Sequence, residues 1–255
     1  MNTNNRLIFL HLPKNAGTTL NSILKKSYNP SEIYQVGYDE NKVWNFNKFK
    51  NLSQKERDNV KLLTGHFNFG VHELFTNDYA YLTMLRHPIE RTISFYNYVK
   101  RKKEHRILDL VKNKSLIECV TQIKDFDVVN GQARKLSNCD DENLMLKKAL
   151  ANIDSQFEFV GIQEYFEESI LLLNNVLKLN ILYYKNLNRA EHKPIIDKEL
   201  IIEIEKTNQI DTELYNILEA RFIKQLEKIN NKSTKLKFLK TTNRLKEVYD
   251  KIKSQ

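Results

Sequence analysis

The segment IFLHLPKNAGTTLNSIL (Ile8–Leu24) constrains the fold most, because an apolar run passes through a short turn into a helical pattern. The run from Leu7 to Leu12 is typical of a buried strand, and Pro13 ends it because proline has no N–H to donate to a neighbouring strand. Beyond the turn, apolar residues recur at the spacing of one helix face: Leu20, Ile23 and Leu24. The segment therefore predicts a strand–turn–helix unit.

The turn itself has the composition of an anion site. Gly17 allows a tight backbone turn, and the first N–H groups of the following helix have no partner within the helix. Lys14 adds a full positive charge, and Thr18 and Thr19 add hydroxyl donors. The alternative interpretation is an ordinary strand–helix turn with a surface lysine and a capping threonine.

The rest of the chain alternates between short apolar runs and helical patterns. Such alternation predicts an α/β fold, in which a P-loop-like parallel sheet carries helices on both faces and the C-terminal half is rich in helix. The predicted strands cover about 6–12, 60–67, 79–85 and 157–162, and the clearest helices cover about 17–27, 107–154 and 164–179. In such sheets, ligands bind at the carboxyl ends of the strands, where His66 and Arg86 are predicted to lie with the first turn.

A second anion site is predicted in MLRHPIERTISFYNY (Met84–Tyr98). Arg86 stands at a strand end, Pro88 suits the first turn of a helix, and Ser94 follows two turns later. A guanidinium group and a hydroxyl group together make a phosphate receptor. Two anion sites on one sheet edge predict a ligand that carries two separate phosphate-like groups.

Charge is concentrated at the C-terminus. The formal net charge is +9, and residues 224–255 hold ten Lys or Arg against three Asp or Glu. Apolar residues there keep helical spacing at Leu245, Val248, Tyr249 and Ile252. We therefore divide the chain into a main domain, 1–223, and a basic amphipathic helical extension, 224–255, expected to pack its apolar stripe on that domain. The alternative is contact with an anionic membrane or an acidic polymer.

Several classes of protein are disfavoured. No apolar run approaches the about 18 residues of a membrane span, and Cys119 and Cys139 form no metal-ligand or disulfide pattern. The first strand begins too early to leave room for a signal peptide, so a cytoplasmic protein is expected. No nucleic-acid recognition motif accompanies the basic tail, and the oligomeric state is left open.

These motifs resemble those of sulfotransferases. PKNAGTTL is similar to their 5′-phosphosulfate loop, PKxxGT[ST], and RHPIERTISFY to their 3′-phosphate motif, RxPxxRxxSxY. GHFNFGVHE (Gly65–Glu73) and NGQARKLSN (Asn130–Asn138) resemble segments of the carbohydrate-type branch, which includes heparan sulfate 2-O-sulfotransferases and many bacterial relatives. The resemblance runs from residue 6 to about 222 and implies the sulfotransferase fold, with a bacterial enzyme as the simplest source.

The resemblance implies a donor, 3′-phosphoadenosine 5′-phosphosulfate (PAPS), and an acceptor hydroxyl, most simply on a polysaccharide or glycolipid. Lys14 would neutralise the leaving oxygen, and Arg86 and Ser94 would hold the 3′-phosphate. No metal is required. The 5′-phosphosulfate would be held by the backbone and hydroxyls of the loop: Asn15, Ala16, Gly17, Thr18 and Thr19.

The acceptor hydroxyl needs a base, and neutral histidine suits this role near pH 7. In the 2-O-sulfotransferases a histidine follows the second strand, and His66 matches that position; His72 is the alternative. Arg91 and Arg134 are weaker candidates for binding an acidic acceptor or the donor. They could instead form ion pairs with neighbouring acids, Glu90 and Asp140 respectively.

Further residues are assigned by weaker reasoning. Asn188 and Arg189 could close over the donor, and aromatic residues could form a wall against which a sugar stacks: Trp44, Phe46, Phe49, Phe67 and Phe69. The rival functions are a P-loop kinase-like phosphotransferase and a non-catalytic relative that binds a glycan or nucleotide. The kinase would need GxxxxGK[ST] and a magnesium-holding Asp, and neither pattern is present.

Overall fold

One five-stranded sheet organises the protein. The computed structural model describes residues 6–37, 44–179, 181, 183–184 and 196–253, with the side chains of residues 247 and 251 left aside. All strand pairings in this sheet are parallel, and the strand order is β2-β3-β1-β4-β5. The strands are β1 (Arg6–Leu10), β2 (Ile33–Val36), β3 (Leu62–Gly65), β4 (Tyr79–Leu85) and β5 (Phe157–Ile162).

The four predicted strands are present, and β2 is an additional one. The central strand β1 is buried along its whole length, with Leu7 opposite both Leu62 and Ala80. Strands buried on both faces read as continuous apolar runs, which is why the sequence revealed them. β2 lies at the sheet edge, has four residues, and is only partly buried, so its sequence IYQV carried no such signal.

Helices surround the sheet and dominate the C-terminal half, as predicted. Within the described residues they are α1 (Gly17–Lys25), α2 (Phe46–Lys50), α3 (Gln54–Asn59), α4 (Pro88–Arg101), α5 (Leu108–Val111), α6 (Leu116–Gln122), α7 (Gly131–Ser137), α8 (Glu142–Gln156), α9 (Phe166–Leu177), α10 (Lys198–Thr207), α11 (Gln209–Glu227) and α12 (Lys232–Lys253). Short 3-10 turns span Pro30–Glu32, Val71–Leu74 and Gln163–Tyr165.

The strand order creates a crevice between β1 and β4. The chain leaves β1 toward β2 on one side of the sheet and leaves β4 toward β5 on the other. Right-handed crossovers then place the connecting helices on opposite faces. Two neighbouring strands whose connections diverge leave a gap at their carboxyl ends, which is the usual ligand position in such sheets.

The helices α4, α7 and α11 meet in a buried polar cluster below this crevice. Asp211, at the start of α11, accepts hydrogen bonds from the backbone N–H groups of Gln132 (3.1 Å) and Ala133 (2.7 Å) at the start of α7. Its carboxylate also lies 3.6 Å from Nη1 of Arg91 on α4, and both side chains are at most 1% exposed. Asp211 therefore connects α11 with α7 and α4.

The predicted boundary between residues 223 and 224 falls inside a continuous helix. α11 runs from Gln209 to Glu227, and both Phe222 and Leu226 are buried in the main core. The chain turns instead at Asn231, whose φ of 55° is left-handed, before α12 begins. The division into a main domain and an extension stays a prediction.

The expected packing of the C-terminal stripe differs from the structure. α12 is attached to the core through Leu239, which is 4% exposed. The stripe named from the sequence is exposed, with each member at least half accessible to solvent: Leu245, Val248, Tyr249 and Ile252. Helical spacing identified the apolar stripe correctly but did not show which face of the helix meets the protein.

We predict that Asp211→Ala destabilises the fold by about 3–5 kcal/mol, because it leaves the buried Arg91 charge without its partner. The measurement is urea unfolding followed by circular dichroism. The matched control is Asp154→Ala, which removes an ion pair with Arg221 at the surface and should cost at most about 1 kcal/mol. Equal losses for the two variants would contradict the structural role given to Asp211.

Candidate functional site

The loop between β1 and α1 has the backbone geometry of an anion site. Lys14 and Ala16 both adopt left-handed backbone conformations, with φ of 70° and 55°. Left-handed residues that alternate with ordinary ones turn successive N–H groups toward one point, and α1 adds its unpartnered N-terminal N–H groups. Side chains with a Cβ are strained in this conformation, which is a feature typical of functional loops.

Gly17 is needed for a reason that the sequence did not show. Its own φ is not among the positive values, and it is the first residue of α1. A Cβ at this position would lie 1.9 Å from Cδ2 of His11, so the helix can approach the His11 ring only with glycine there. The turn expected at Gly17 is made by Lys14 and Ala16 instead.

Asn15 fastens the loop to the end of β4. Its side chain is 1% exposed, and Nδ2 donates to the carbonyl oxygen of Met84 (2.8 Å) and to Oε1 of Gln132 (2.7 Å). The amide nitrogen of Asn15 therefore holds the loop in place, while its buried Oδ1 has no hydrogen-bond partner among the described residues. The group of Asn15 that can bind an anion is its backbone N–H.

Gln132 joins the two predicted anion motifs, a role that its local sequence did not indicate. Besides Asn15, its Oε1 accepts from the N–H of Arg86 (3.0 Å), and its Nε2 donates to the carbonyl oxygen of Arg86 (2.9 Å). The side chain is fully buried. The one sequence signal for Gln132 was its position in NGQARKLSN, which resembles a segment of the carbohydrate-type sulfotransferases.

Arg86 contacts the loop directly, which confirms that the ends of β1 and β4 meet. Its Nη1 donates to the carbonyl oxygen of Lys14 (3.1 Å), and its Nη2 lies 3.5 Å from Oε2 of Glu90. Nε of Arg86 is buried and has no hydrogen-bond partner among the described residues. A buried donor without a partner costs free energy, so Arg86 retains capacity for an anionic ligand.

One face of α4 lines the loop. Glu90, Ser94 and Tyr98 are spaced four residues apart and so share a helix face. Arg86 reaches Glu90, and Nζ of Lys14 lies 4.0 Å from the centre of the Tyr98 ring. The half-buried Ser94 stands between these two contacts, about 6 Å along the helix from each. The structure thus brings Lys14, Arg86 and Ser94 to the same region.

The pKa of Lys14 is lowered to about 8, mainly by burial and then by the positive charges of Arg101, Arg86 and Lys102. Lys14 therefore keeps most of its charge at pH 7. The neighbouring positive charges raise the free energy of the Lys14 ammonium group when no anion is bound. A bound phosphate or sulfate would relieve this cost and raise the pKa again.

His66 lies directly after β3, with its ring packed against that of His11 (centroids 4.4 Å apart). Its Nδ1 is 2.7 Å from the carbonyl oxygen of His11. A carbonyl oxygen only accepts hydrogen bonds, so Nδ1 carries the proton and Nε2 of the neutral ring keeps a free lone pair. Burial lowers the pKa of His66, which favours this neutral form at pH 7.

His72 occupies a different environment. Its Nδ1 lies 3.1 Å from the hydroxyl oxygen of Tyr81, and its ring stacks on Tyr79 with centroids 4.8 Å apart. Burial lowers its pKa as well. His66 lines the cleft described next, whereas His72 does not belong to its lining. Of the two histidines, His66 is therefore the one whose ring borders the cleft beside Lys14.

A cleft of about 900 Å³ opens beside Lys14 and His66. Its lining is rich in aromatic rings and also includes charged groups, among which Asp127 pairs with Lys135 (3.0 Å) and Arg106 (2.9 Å). Phe49, expected at the cleft, is fully buried in the core. The aromatic lining comprises Trp44, Phe46, Phe67, Phe69, Phe95, Tyr98 and Phe126.

Arg91 and Arg134, the weaker candidates for ligand binding, do not line the cleft. Arg91 is 1% exposed and paired with Asp211, so the expectation that it binds a ligand, or pairs with its neighbour Glu90, differs from the structure. Arg134 forms the predicted alternative ion pair with Asp140. Helical spacing placed Arg91 near the site without showing that it faces the core. The predicted residues Asn188 and Arg189 lie outside the described residues.

Fold and site together define an α/β protein whose loop at the carboxyl edge of a parallel sheet has the geometry suited to an anionic ligand. The model of the sulfotransferase family matches residues 1–236, so the chain belongs to the sulfotransferase family. In the described parts of the chain, no group of three or more His, Cys, Asp and Glu is gathered as metal ligands. Across those same parts, none of the helices combines the length and apolarity needed to cross a membrane.

Relatives include the galactosylceramide sulfotransferases of Bos taurus and Homo sapiens, 30% and 28% identical over 95 residues. These matches cover 36% of this chain and 22% of the relatives' length. Among solved structures, mouse sulfotransferase SULT7A1 complexed with PAP overlaps 82% of this chain and 67% of its own, with a TM-score of 0.39 and 11% identity.

Proposed function

We propose that the protein transfers a sulfuryl group from PAPS to a hydroxyl group of a saccharide. The observation that carries this proposal is the arrangement of three parts around Lys14: the left-handed loop at Lys14 and Ala16, Arg86 with its partnerless Nε and its hydrogen bond to the Lys14 carbonyl oxygen, and His66, which lines the same cleft as Lys14. The first two suit a ligand with two anionic ends. The third suits removal of a proton from an acceptor.

The two anionic ends of PAPS would bind to separate sets of residues. The loop N–H groups and the hydroxyls of Thr18 and Thr19 receive the 5′-phosphosulfate, while Arg86 and Ser94 receive the 3′-phosphate. Arg86 is suited to this role because its backbone is fixed by Gln132 and its Nε donor is unused. A fixed donor set needs little reorganisation when charge appears on the ligand.

In the reaction, the acceptor oxygen forms a bond to sulfur while the bond from sulfur to the bridging phosphate oxygen breaks. The acceptor proton moves to Nε2 of His66, and the negative charge that grows on the leaving phosphate is neutralised by Lys14. Lys14 moves from the Tyr98 ring to that oxygen. Adenosine 3′,5′-bisphosphate leaves as the second product.

The proposed acceptor class rests on the cleft and on the relatives. Aromatic rings such as Trp44, Phe46 and Phe69 offer flat apolar surfaces of the kind on which sugar rings stack. The similar curated proteins are named for sulfation of a glycolipid, galactosylceramide. A saccharide hydroxyl, free or on a lipid, is the acceptor that fits both observations.

The function is tested by incubating the protein with PAPS and a panel of neutral and acidic saccharides and glycolipids. Mass spectrometry should show one acceptor gaining the mass of a single SO3 group, with adenosine 3′,5′-bisphosphate formed in equal amount. Replacing PAPS with ATP should give no product. Phosphate transfer from ATP would favour a kinase-like phosphotransferase, and tight donor binding without any transfer to the panel would favour a non-catalytic relative.

Adenosine 3′,5′-bisphosphate should stabilise the protein by about 2.7 kcal/mol at about 100-fold its dissociation constant. Differential scanning fluorimetry measures this as a rise in melting temperature. ATP, which lacks a 3′-phosphate for Arg86 and Ser94, should produce a clearly smaller rise, and Mg²⁺ should change neither. Equal stabilisation by both nucleotides would exclude a separate 3′-phosphate site.

The variants Lys14→Ala and Ser94→Ala should separate turnover from binding. Ser94→Ala removes a contact made in the ground state, so it should weaken donor binding while turnover at saturation changes little. Lys14→Ala removes a partner whose importance grows in the transition state, so it should lower kcat more than it raises KM. Steady-state kinetics with varied PAPS provides both constants. An intact kcat in Lys14→Ala would refute its leaving-group role.

His66→Ala should lower kcat by about 10²–10⁴, the usual range for loss of a general base. Donor binding should persist because no phosphate contact is lost. The control, His72→Ala, should have a clearly smaller effect, since His72 is engaged with Tyr81 away from the cleft lining. A larger loss in His72→Ala than in His66→Ala would reverse the assignment.

The pH profile of kcat/KM should be bell-shaped. Activity should fall at acidic pH through the lowered pKa of His66, because the protonated ring cannot accept a proton. It should also fall above the Lys14 pKa of about 8, because the neutral amine cannot balance the phosphosulfate. In kcat the alkaline limb should shift upward, since the bound anion raises the pKa of Lys14. His66→Ala should lose the acidic limb.

A further inference from the structure

The helix α12 is anchored by one face only. Leu239 is buried against the main core, Leu236 packs partly buried beside it, and Oδ1 of Asn243 accepts a hydrogen bond from the N–H of Tyr184 (2.8 Å). With 3.6 residues per turn, these three positions share one side of the helix. The opposite side is available for another contact.

The opposite side carries a line of exposed apolar residues. Between 50% and 68% of each residue is accessible to solvent. At about 100° of rotation per residue, all five fall within a sector of about 100° and extend over about 21 Å of helix. We call these residues the apolar stripe: Phe238, Leu245, Val248, Tyr249 and Ile252.

Basic residues border the apolar stripe on both sides. The rotation per residue places Lys235 and Lys253 along one border and Lys237 and Arg244 along the other, and all four are exposed. Lys246 lies between the first border and the face that holds Leu239, and its Nζ is 2.8 Å from Oδ1 of Asp250 and 4.7 Å from the Tyr249 ring centre. Over the whole of α12 the sequence has eight Lys or Arg against two Asp or Glu.

We propose that α12 docks the protein onto lipid bilayers that contain anionic lipids. The apolar stripe enters the boundary between headgroups and acyl chains, and the bordering cations contact the lipid phosphates. An apolar sector with basic residues on both sides is the arrangement of helices that lie in the plane of a membrane interface. The face that holds Leu239 keeps the rest of the protein on the water side.

Charge disfavours the other partners for this face. A nucleic acid would contact the lysines but leave the apolar stripe in water. A second copy of α12 packed stripe to stripe would bring the same positive borders together. A bilayer that is apolar inside and negative at its surface complements both parts. The sulfotransferase-family match ends at residue 236, so this face belongs to a part of the chain beyond that match.

The test is co-sedimentation of the full chain with vesicles of phosphatidylcholine alone and of an equal mixture with phosphatidylglycerol. Binding to the anionic vesicles should be stronger by about tenfold or more, and high salt should weaken it. Leu245→Glu should abolish most of this binding because it places a negative charge within the apolar stripe.

The matched control is Ile202→Glu, which makes the same change at a residue on α10 that is 59% exposed. It should bind vesicles like the unchanged protein, and circular dichroism should show both variants folded. Equal binding to both vesicle types, binding to neither, or equal loss in the two variants would each overturn the proposal. So would concentration-dependent dimerisation that Leu245→Glu abolishes, or binding of RNA in preference to anionic vesicles.

Discussion

The hydrogen bonds that converge on Gln132 connect the candidate site. Its amide group bonds to the side chain of Asn15, in the loop after β1, and to both backbone polar groups of Arg86, after β4. Because the amide is fully buried, leaving any of these partners unpaired would cost free energy. The two candidate anion-binding motifs are therefore fixed relative to each other by these hydrogen bonds.

The buried cluster beneath Gln132 extends this constraint into the core. Asp211 accepts from the backbone N–H of Gln132 and faces Arg91, so the start of α7 is tied to α11 and α4. A ligand-binding edge supported in this way needs little ordering on binding, which preserves affinity and prepares the donors for transition-state charge. The strained conformations at Lys14 and Ala16 are held by the same surroundings.

The sequence predicted what depends on local pattern. β1 and β4 are mostly apolar runs, which predicted the parallel sheet. The turns after them carry residues typical of ligand loops, so the position of the candidate site could also be predicted. The proximity of Lys14, Arg86 and Ser94 could be predicted because strand ends in a parallel sheet share one edge. The position of His66 beside the same cleft could be predicted in the same way, whereas its role as a base stays a prediction.

The remaining features depend on contacts between distant residues. The role of Gln132 requires partners 117 and 46 positions away, which no local pattern shows. Arg91 lies on the same helix as Ser94, but only the packing of α11 shows that its guanidinium is buried. For α12, periodicity revealed the apolar stripe, whereas its exposure depends on which helix face meets the core.

A crystal structure of the protein with adenosine 3′,5′-bisphosphate would test the central claim, that both motifs and His66 form one transfer site. The 5′-phosphate should lie on the loop N–H groups, with Nζ of Lys14 moved from Tyr98 to it, and the 3′-phosphate should lie on Arg86 and Ser94. Nε2 of His66 should face the position that sulfur occupies in the donor. A bisphosphate bound elsewhere in the cleft, or one bound with His66 turned away from the 5′-phosphate, would contradict it.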